Sequence, residues 1–365
     1  MLDAVLHIGA GKCGSSALQT TFSQHPVLGS SNDVRTRYVA LRHEAPSLHG
    51  RDLKSGAANT PWGYVSSVSA GLLSGLPDSA LQAIRKELID ISGGRDRIML
   101  SNEGWINEYE IFEGSGLLPA LGLNCTVVVY VRPPVEWLNS AWWQWGAWAG
   151  VSLDQWLNAH LAKVRWHDLI VPWKSLPGVE RVIVRLLPSD VIADFCNVIG
   201  IPPIPGKRSN SGLPGTILRL YQRHRELRKS SHDSANDFVL SRHFGHIAND
   251  PTPWVIGPYK IKKIVESTRK SNTDLMNLLD ADSRASMEND PRWWDAAAFA
   301  DKKKSALSVE NLPLARLEEI AVAALSSIRE LEGENRSLRR RLNELSEKSK
   351  QENSGPDSRE SGGSQ

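Results

Sequence analysis

The tightest constraint on the fold lies near the start of the chain, where an apolar run, a glycine-rich turn and a helix-forming run follow one another. Residues Val5 to Ile8 are typical of a short strand buried on both faces, and residues Ala17 to Gln19 favour helix. The turn between them is Gly9-Ala10-Gly11-Lys12-Cys13-Gly14-Ser15-Ser16. Glycine lets the backbone approach a ligand, and the N–H groups at the start of a helix attract an anion. The sequence therefore predicts a strand, an anion-binding turn and a helix.

Several interpretations of this turn compete. Residues 9–14 match the pattern G-x-G-x-x-G of dinucleotide-binding folds, but those folds place an acidic residue at the end of a second strand about 20 residues later. Asp33, near that distance, lies in a stretch typical of a loop. A nucleoside triphosphatase P-loop fits less well, because Leu6 stands where its first glycine belongs and Cys13 replaces the hydroxyl that would hold magnesium. A glycine-rich turn without a ligand is the simplest alternative.

A second predicted strand, Arg97 to Leu100, leads into Ser101-Asn102-Glu103. The carboxyl ends of the strands of an open parallel sheet form the edge where ligands bind. Glu103 at that edge is a candidate general base. A carboxylate there could equally cap a helix or pair with a lysine.

Cys125 to Val131 is the strongest strand signal in the chain, because it is continuous and β-branched like a central parallel strand. Arg132 follows it directly, two prolines end it, and a helix is predicted from about Val135 with Ser140 in its second turn. A guanidinium group can grip a phosphate with two hydrogen bonds, and a hydroxyl can add one more.

The order of these features resembles that of sulfotransferases, particularly bacterial ones. The stretch Leu6-His7-Ile8-Gly9-x-x-Lys12-x-Gly14-Ser15-Ser16 resembles their phosphosulfate-binding loop, although Gly11 stands where proline is common and Cys13 where threonine or serine is usual. Neither of these two differences removes a backbone N–H group from the loop. The resemblance implies that the co-substrate 3′-phosphoadenosine 5′-phosphosulfate, the sulfuryl donor, is bound by Gly11, Lys12, Cys13, Gly14, Ser15, Ser16, Arg132 and Ser140.

The same resemblance implies two catalytic residues, Lys12 and Glu103, and in-line transfer of a sulfuryl group to an acceptor hydroxyl without a metal ion. His243 is the reserve candidate for the base. It also implies that the basic loop from Lys207 to Leu213 closes over the donor nucleotide through Arg208 and Asn210, although basic loops are often simply solvated.

Composition excludes several classes of protein. Of the 365 residues, 43 are basic and 41 acidic, so a net charge of +2 does not indicate nucleic-acid binding. Three dispersed cysteines predict neither a disulfide framework nor a zinc site, and favour the cytoplasm. Without a long apolar run or a signal-like start, neither a membrane span nor secretion is expected.

Thirteen tryptophans are the compositional outlier, and five of them fall between Trp137 and Trp148. Most should be core residues. One or two near an acceptor cleft could stack on a sugar ring. Together with the family resemblance, this favours a carbohydrate acceptor, while lipid and phenolic hydroxyls remain open.

Near the C-terminus the pattern changes to heptads, with Leu314, Ala321, Ile328, Asn335 and Leu342 at a positions and Leu317, Ala324, Leu331, Leu338 and Leu345 at d positions. Asn335 favours a parallel homodimer, and the alternative is a helix that packs back on its own chain. The expected organisation is a catalytic domain at 1–305, a coiled-coil helix at 313–348 and a disordered tail at 349–365.

The sequence thus predicts an α/β fold with a mainly parallel central sheet flanked by helices, as in P-loop-like sulfotransferases, and a C-terminal coiled-coil helix. The favoured function is a cytoplasmic sulfotransferase that acts on a glycan or another hydroxyl compound. A non-catalytic nucleotide-binding scaffold that assembles through its coiled coil, and a P-loop nucleotide or small-molecule kinase, are the alternatives.

Overall fold

The structure is a computed structural model, and it describes residues 1–29, 34–204, 213–230, 250–304 and 314–353, with single positions at 233, 237, 240 and 244.

Within these residues, seven strands form one sheet in the order β2-β3-β5-β1-β6-β7, with β4 beside β3. The strands are Leu2–His7 (β1), Val27–Leu28 (β2), Thr36–Ala40 (β3), Leu48–His49 (β4), Arg97–Ser101 (β5), Leu123–Val131 (β6) and Val179–Leu186 (β7). The pairs β3–β5, β5–β1, β1–β6 and β6–β7 are parallel, and only the short β2 and β4 pair antiparallel with β3. The predicted α/β fold with a mainly parallel sheet is confirmed.

Helices flank the sheet. They are Ser15–Gln24 (α1), Gly50–Ala58 (α2), Ala70–Ser74 (α3), Asp78–Ser92 (α4), Tyr109–Ser115 (α5), Leu117–Ala120 (α6), Pro134–Gln144 (α7), Leu153–His160 (α8), Trp166–Ile170 (α9), Val191–Ile199 (α10), Gly215–Arg223 (α11), Pro258–Leu275 (α12), Ala281–Asn289 (α13) and Leu314–Asn353 (α14). In the part of the chain that the structure describes, none of the helices is both long and apolar enough to cross a bilayer.

The register of the central strands sets the position of the site. His7 at the end of β1 pairs with Ser101 at the end of β5, and on the other side with Val128 of β6. Three chain segments therefore leave the same edge of the sheet, and they begin at Ile8, Asn102 and Arg132.

Helix α1 is fixed beneath this edge by aromatic packing. Phe22 is fully buried, with its ring centroid 5.1 Å from that of Phe195 on α10 and 5.5 Å from that of Tyr38 on β3. Burial of such side chains stabilises the folded chain by about 2 kcal/mol each. This packing fixes the position of α1 against β3 and α10.

Residues 35–75 are polar and rich in His, Ser and Gly, and the sequence predicts irregular structure there apart from a strand at 38–41. That prediction is wrong, because the segment contains β4, α2 and α3 in addition to the strand β3. Helix α2 buries only Leu53 and Ala57, which leaves too sparse an apolar stripe to show helical periodicity. Helix α3 is short and is capped by Ser69, whose Oγ accepts from the Leu72 N–H at 3.4 Å.

The resemblance to sulfotransferases also implies a helix from Ile264 to Leu279. In the structure this helix begins earlier, with Pro258 in its first turn, and ends at Leu275. Its buried Asn272 donates from Nδ2 to the Trp293 carbonyl at 3.0 Å, which anchors the following segment to the core. In the structure, Asn272 therefore has a packing role.

The helix α14 confirms the helical part of the C-terminal prediction, and it extends to Asn353, beyond the predicted end at 348. The predicted boundary at 305–313 and the rest of the predicted tail, 354–365, lie outside the described residues.

His7 is fully buried at the end of the central strand β1, and it forms no ion pair within the described part of the chain. Gln19 donates from Nε2 to Ser101 Oγ at 3.1 Å, so the Ser101 hydroxyl can donate to His7 Nδ1, 2.8 Å away. That arrangement requires the neutral imidazole, and burial lowers the pKa of His7 from 6.5 to about 4.

We expect this histidine to make the fold acid-sensitive. Between pH 6.5 and 4 the unfolded chain binds a proton that the folded chain rejects, so the free energy of unfolding falls by about 3 kcal/mol as the pH drops through this range. His7→Gln should remove this part of the pH dependence in urea unfolding at pH 4 and 7. Equal pH slopes for the two proteins would contradict the buried neutral state.

Candidate active site

The turn between β1 and α1 is shaped for close approach of other groups. Gly9 has φ +51°, and a Cβ there would lie 2.7 Å from Glu103 Cα. Gly14 has φ +91° and is the N-cap of α1, where no side chain caps the helix. Because the first N–H groups of a helix have no acceptor within it, those of Ser15 and Ser16 are available to an anion.

Cys13 stabilises the turn from within. Its N–H donates to the Ala10 carbonyl at 3.0 Å, so this predicted donor already has an acceptor. Burial raises the pKa of the Cys13 thiol to about 12, and the side chain is part of the core.

Lys12 is held by hydrogen bonds to its backbone and to its side chain. Its carbonyl accepts from Arg132 Nη1 at 3.4 Å, and its Nζ donates to Gln144 Oε1 at 3.3 Å. Its backbone has φ +65°, in the left-handed region, which costs a non-glycine residue about 1–2 kcal/mol. Burial lowers the pKa of the ammonium group, and the charge of Glu103 opposes this shift. Lys12 is half-buried, and such backbone strain at a cation is typical of functional sites.

Glu103 lies over the turn from the neighbouring strand. Asn102 fixes its backbone, because the Asn102 side chain accepts from the Gly104 N–H at 2.6 Å and donates to the Ser67 carbonyl at 2.6 Å. Burial raises the pKa of the Glu103 carboxyl, with the charge of Lys12 opposing the shift. Among the described residues Glu103 forms no salt bridge and caps no helix, and its charge acts on that of the neighbouring Lys12.

Arg132 enters from the other neighbouring strand. Its Nη2 donates to Glu136 Oε2 at 3.1 Å, and Glu136 also pairs with Arg292 Nη1 at 3.1 Å. The Arg132 Nε is buried without a hydrogen-bond partner among the described residues. Lys12, Glu103 and Arg132 thus meet at one turn from three adjacent strand ends.

Ser140 lies half-buried on α7, and no hydrogen bond joins it to the turn within the described residues. Arg208, Asn210 and His243 lie outside the residues that the structure describes, so their predicted roles stay predictions.

Two tryptophans form one wall of the turn. Trp137 Nε1 donates to the Gly11 carbonyl at 2.6 Å, and a Cβ at Gly11 would lie 2.8 Å from Trp145 Cη2. The residue at 11 is therefore small because Trp145 occupies the adjacent space. The expectation that most tryptophans are core residues is confirmed, since nine are buried, namely Trp105, Trp137, Trp142, Trp143, Trp148, Trp156, Trp166, Trp173 and Trp293.

Tyr64 and Gln144 are site residues that the sequence analysis did not single out. Burial raises the pKa of Tyr64 to about 12, the nearby charge of Glu103 adds to the shift, and its hydroxyl hydrogen-bonds with the Ser16 side chain. Tyr64 comes from the segment predicted to be irregular, and Gln144 ends α7 without belonging to a motif. A search for polar residues at helix ends beside the turn could have found Gln144 alone.

A cavity of about 410 Å³ lies at the opposite, amino-terminal edge of the sheet, where Met1, Arg95 and Gly200 contribute to its lining. Asp3 and Asp96 are its acidic lining residues, and Asp96 already accepts from Arg37 Nε at 2.6 Å. This cavity brings together none of the predicted site residues. In the described residues no group of three or more His, Cys, Asp or Glu side chains could hold a metal ion.

Comparisons with known proteins give one distant match. No protein-family model and no curated protein matches the chain. A solved structure of a sulfotransferase from Alicyclobacillus acidocaldarius is 13% identical, covers 77% of this chain and 98% of its own, and has a TM-score of 0.36. At such low identity and TM-score, the functional conclusion depends on this chain's own site residues.

The left-handed backbone of Lys12 leads to a stability test. Lys12→Gly should have a free energy of unfolding up to about 1 kcal/mol higher than that of Lys12→Ala, because glycine adopts φ +65° without strain. Both variants lack the ammonium group, so chemical denaturation of the pair isolates the backbone effect. A more stable alanine variant would contradict the observed turn.

Proposed function

We propose that this chain is a sulfotransferase that moves a sulfuryl group from 3′-phosphoadenosine 5′-phosphosulfate to an acceptor hydroxyl of a carbohydrate. The observation that carries the proposal is the convergence of Lys12, Glu103 and Arg132 at the start of α1. Two cations and a helix N-terminus suit an anionic donor, and a half-buried carboxylate suits a hydroxyl acceptor.

The residues present fit the donor. The N–H groups and hydroxyls of Ser15 and Ser16 would hold its 5′-phosphosulfate at the helix start, as the geometry of the turn allows. Arg132 would hold the 3′-phosphate, which would satisfy its buried Nε. The buried thiol of Cys13 offers no hydroxyl for a magnesium-bound triphosphate, which weighs against a kinase.

When bound, the donor supplies the sulfuryl group and leaves as adenosine 3′,5′-bisphosphate. Glu103 accepts the acceptor hydroxyl proton as the acceptor oxygen forms its bond to sulfur. Lys12 stabilises the negative charge that grows on the bridging oxygen as the bond between this oxygen and sulfur breaks. The raised pKa of Glu103 makes it a stronger base than an exposed glutamate, provided that it is ionised.

Aromatic rings beside Glu103 support a carbohydrate acceptor. The charge of Glu103 acts on the Tyr64 hydroxyl, Trp145 borders Gly11, and Trp62 is 39% exposed with its ring centroid 6.3 Å from that of Tyr64. Flat aromatic faces pack well against the apolar face of a sugar ring.

The donor site can be tested by calorimetric binding of adenosine 3′,5′-bisphosphate in metal-free buffer. Arg132→Ala should weaken binding by about 10- to 100-fold, because charge-assisted hydrogen bonds to phosphate are lost. Arg292→Ala is the matched control, since it also breaks an ion pair with Glu136 but lies outside the turn, and an exposed pair of this kind should change affinity less than about threefold.

Absence of binding by the folded wild type would refute the donor site. Equal losses in both variants would assign the effect to Glu136. Binding that required magnesium and favoured a triphosphate would support the kinase alternative instead.

Turnover should depend on Glu103 as a base. Activity should rise with pH through a pKa above the usual glutamate range, because only the ionised carboxylate accepts a proton. Glu103→Gln should lower kcat by about 10²- to 10⁴-fold and abolish this acid limb, while nucleotide affinity should not fall, because the variant removes a negative charge beside the anion. A variant that kept the wild-type kcat and pH profile would transfer the base role to another residue, with His243 tested first.

A further inference from the structure

The long helix α14 has two parts, of which the first contacts the core of the chain and the second is exposed to solvent. In its first part Ala323 is buried, and Ile320 and Ala324 pack against the hydrophobic core of the chain. Every residue from Ile328 to Glu347 is exposed, so the helix leaves the core after Ser327. The first part therefore attaches the helix to the rest of the chain.

The second part carries an exposed apolar stripe. Five large side chains at a and d positions are between 47% and 67% exposed, namely Ile328, Leu331, Leu338, Leu342 and Leu345. Single exposed leucines are ordinary, but a stripe of them along one helix marks an interaction surface. Arg339 and Arg341 border the stripe at e and g positions and are exposed, which leaves it narrow. A narrow stripe suits one partner helix better than a broad protein surface.

We infer that residues 328–345 form a parallel two-stranded coiled coil with the same segment of a second copy of this chain. Isoleucine at an a position with leucine at d positions favours two strands. In a parallel pair Asn335 faces its own counterpart, and the two amides can hydrogen-bond to each other. An antiparallel pair would place Asn335 opposite a leucine and leave the amide unsatisfied.

Charge complementarity supports the same partner. With Ile328 at position a, Glu334 occupies a g position and Arg339 the following e position, so each glutamate reaches the arginine of the other copy in a parallel dimer. This inference does not depend on the proposed enzymatic activity.

The oligomeric state of the full-length protein tests the inference. Light scattering coupled to size-exclusion chromatography should give twice the chain mass of 40.3 kDa. Leu338→Glu should give the monomer mass, because it places a charge in the seam. The matched control is Ser337→Glu, which adds the same residue one position away on the outer face and should stay dimeric.

A monomeric wild type, or a Leu338→Glu variant that stays dimeric, would overturn the inference. The monomeric variant should still bind nucleotide, because the proposed donor site lies outside residues 328–345. Failure of the dimer and failure of the proposed donor site are therefore distinguishable.

Orientation is tested by disulfide cross-linking. Leu338→Cys should form a covalent dimer under mild oxidation, since d positions of a parallel pair face each other, whereas Arg340→Cys on the outer face should not. The native Cys13, Cys125 and Cys196 are buried and should give no background. A dimer whose Leu338→Cys variant does not cross-link would contradict the parallel register.

Discussion

The pairing of β1 between β5 and β6 is the constraint on which the rest of the site depends. Its register brings His7 level with Ser101, so the segments after three strands leave the sheet together. The buried neutral His7 and the Gln19–Ser101 hydrogen bond hold β1, β5 and the helix α1 to one another just below the turn. A shift in register between β1 and β5 would separate Lys12 from Glu103, and one between β1 and β6 would separate it from Arg132.

On this base the turn holds a conformation that its own residues disfavour. The left-handed backbone of Lys12 is strained. Arg132 donates to the Lys12 carbonyl and Trp137 to the Gly11 carbonyl. The ammonium group of Lys12 donates to Gln144. The surrounding structure therefore fixes a cation beside a half-buried carboxylate. Within the described residues Lys12 and Glu103 interact through their charges without forming a salt bridge, which suits a site that receives a ligand better than a closed ion pair would.

Elements with a regular apolar pattern could be predicted from the sequence, and elements that bury few side chains could not. The apolar runs of β1, β5 and β6, and the glycines between β1 and α1, are enough to place Lys12, Glu103 and Arg132 at one edge of the sheet. Helix α2 was missed because two buried side chains do not make a period. Tyr64 and Gln144 were missed because their roles arise from tertiary contacts with Ser16 and Lys12.

The central claim is that the turn before α1 and Arg132 together bind the two phosphate ends of one nucleotide. The most direct test is a crystal structure of the protein with adenosine 3′,5′-bisphosphate. The account predicts the 5′-phosphate at the N–H groups of Ser15 and Ser16 and the 3′-phosphate on Arg132. A nucleotide bound away from this turn, or with its phosphates reversed, would contradict it.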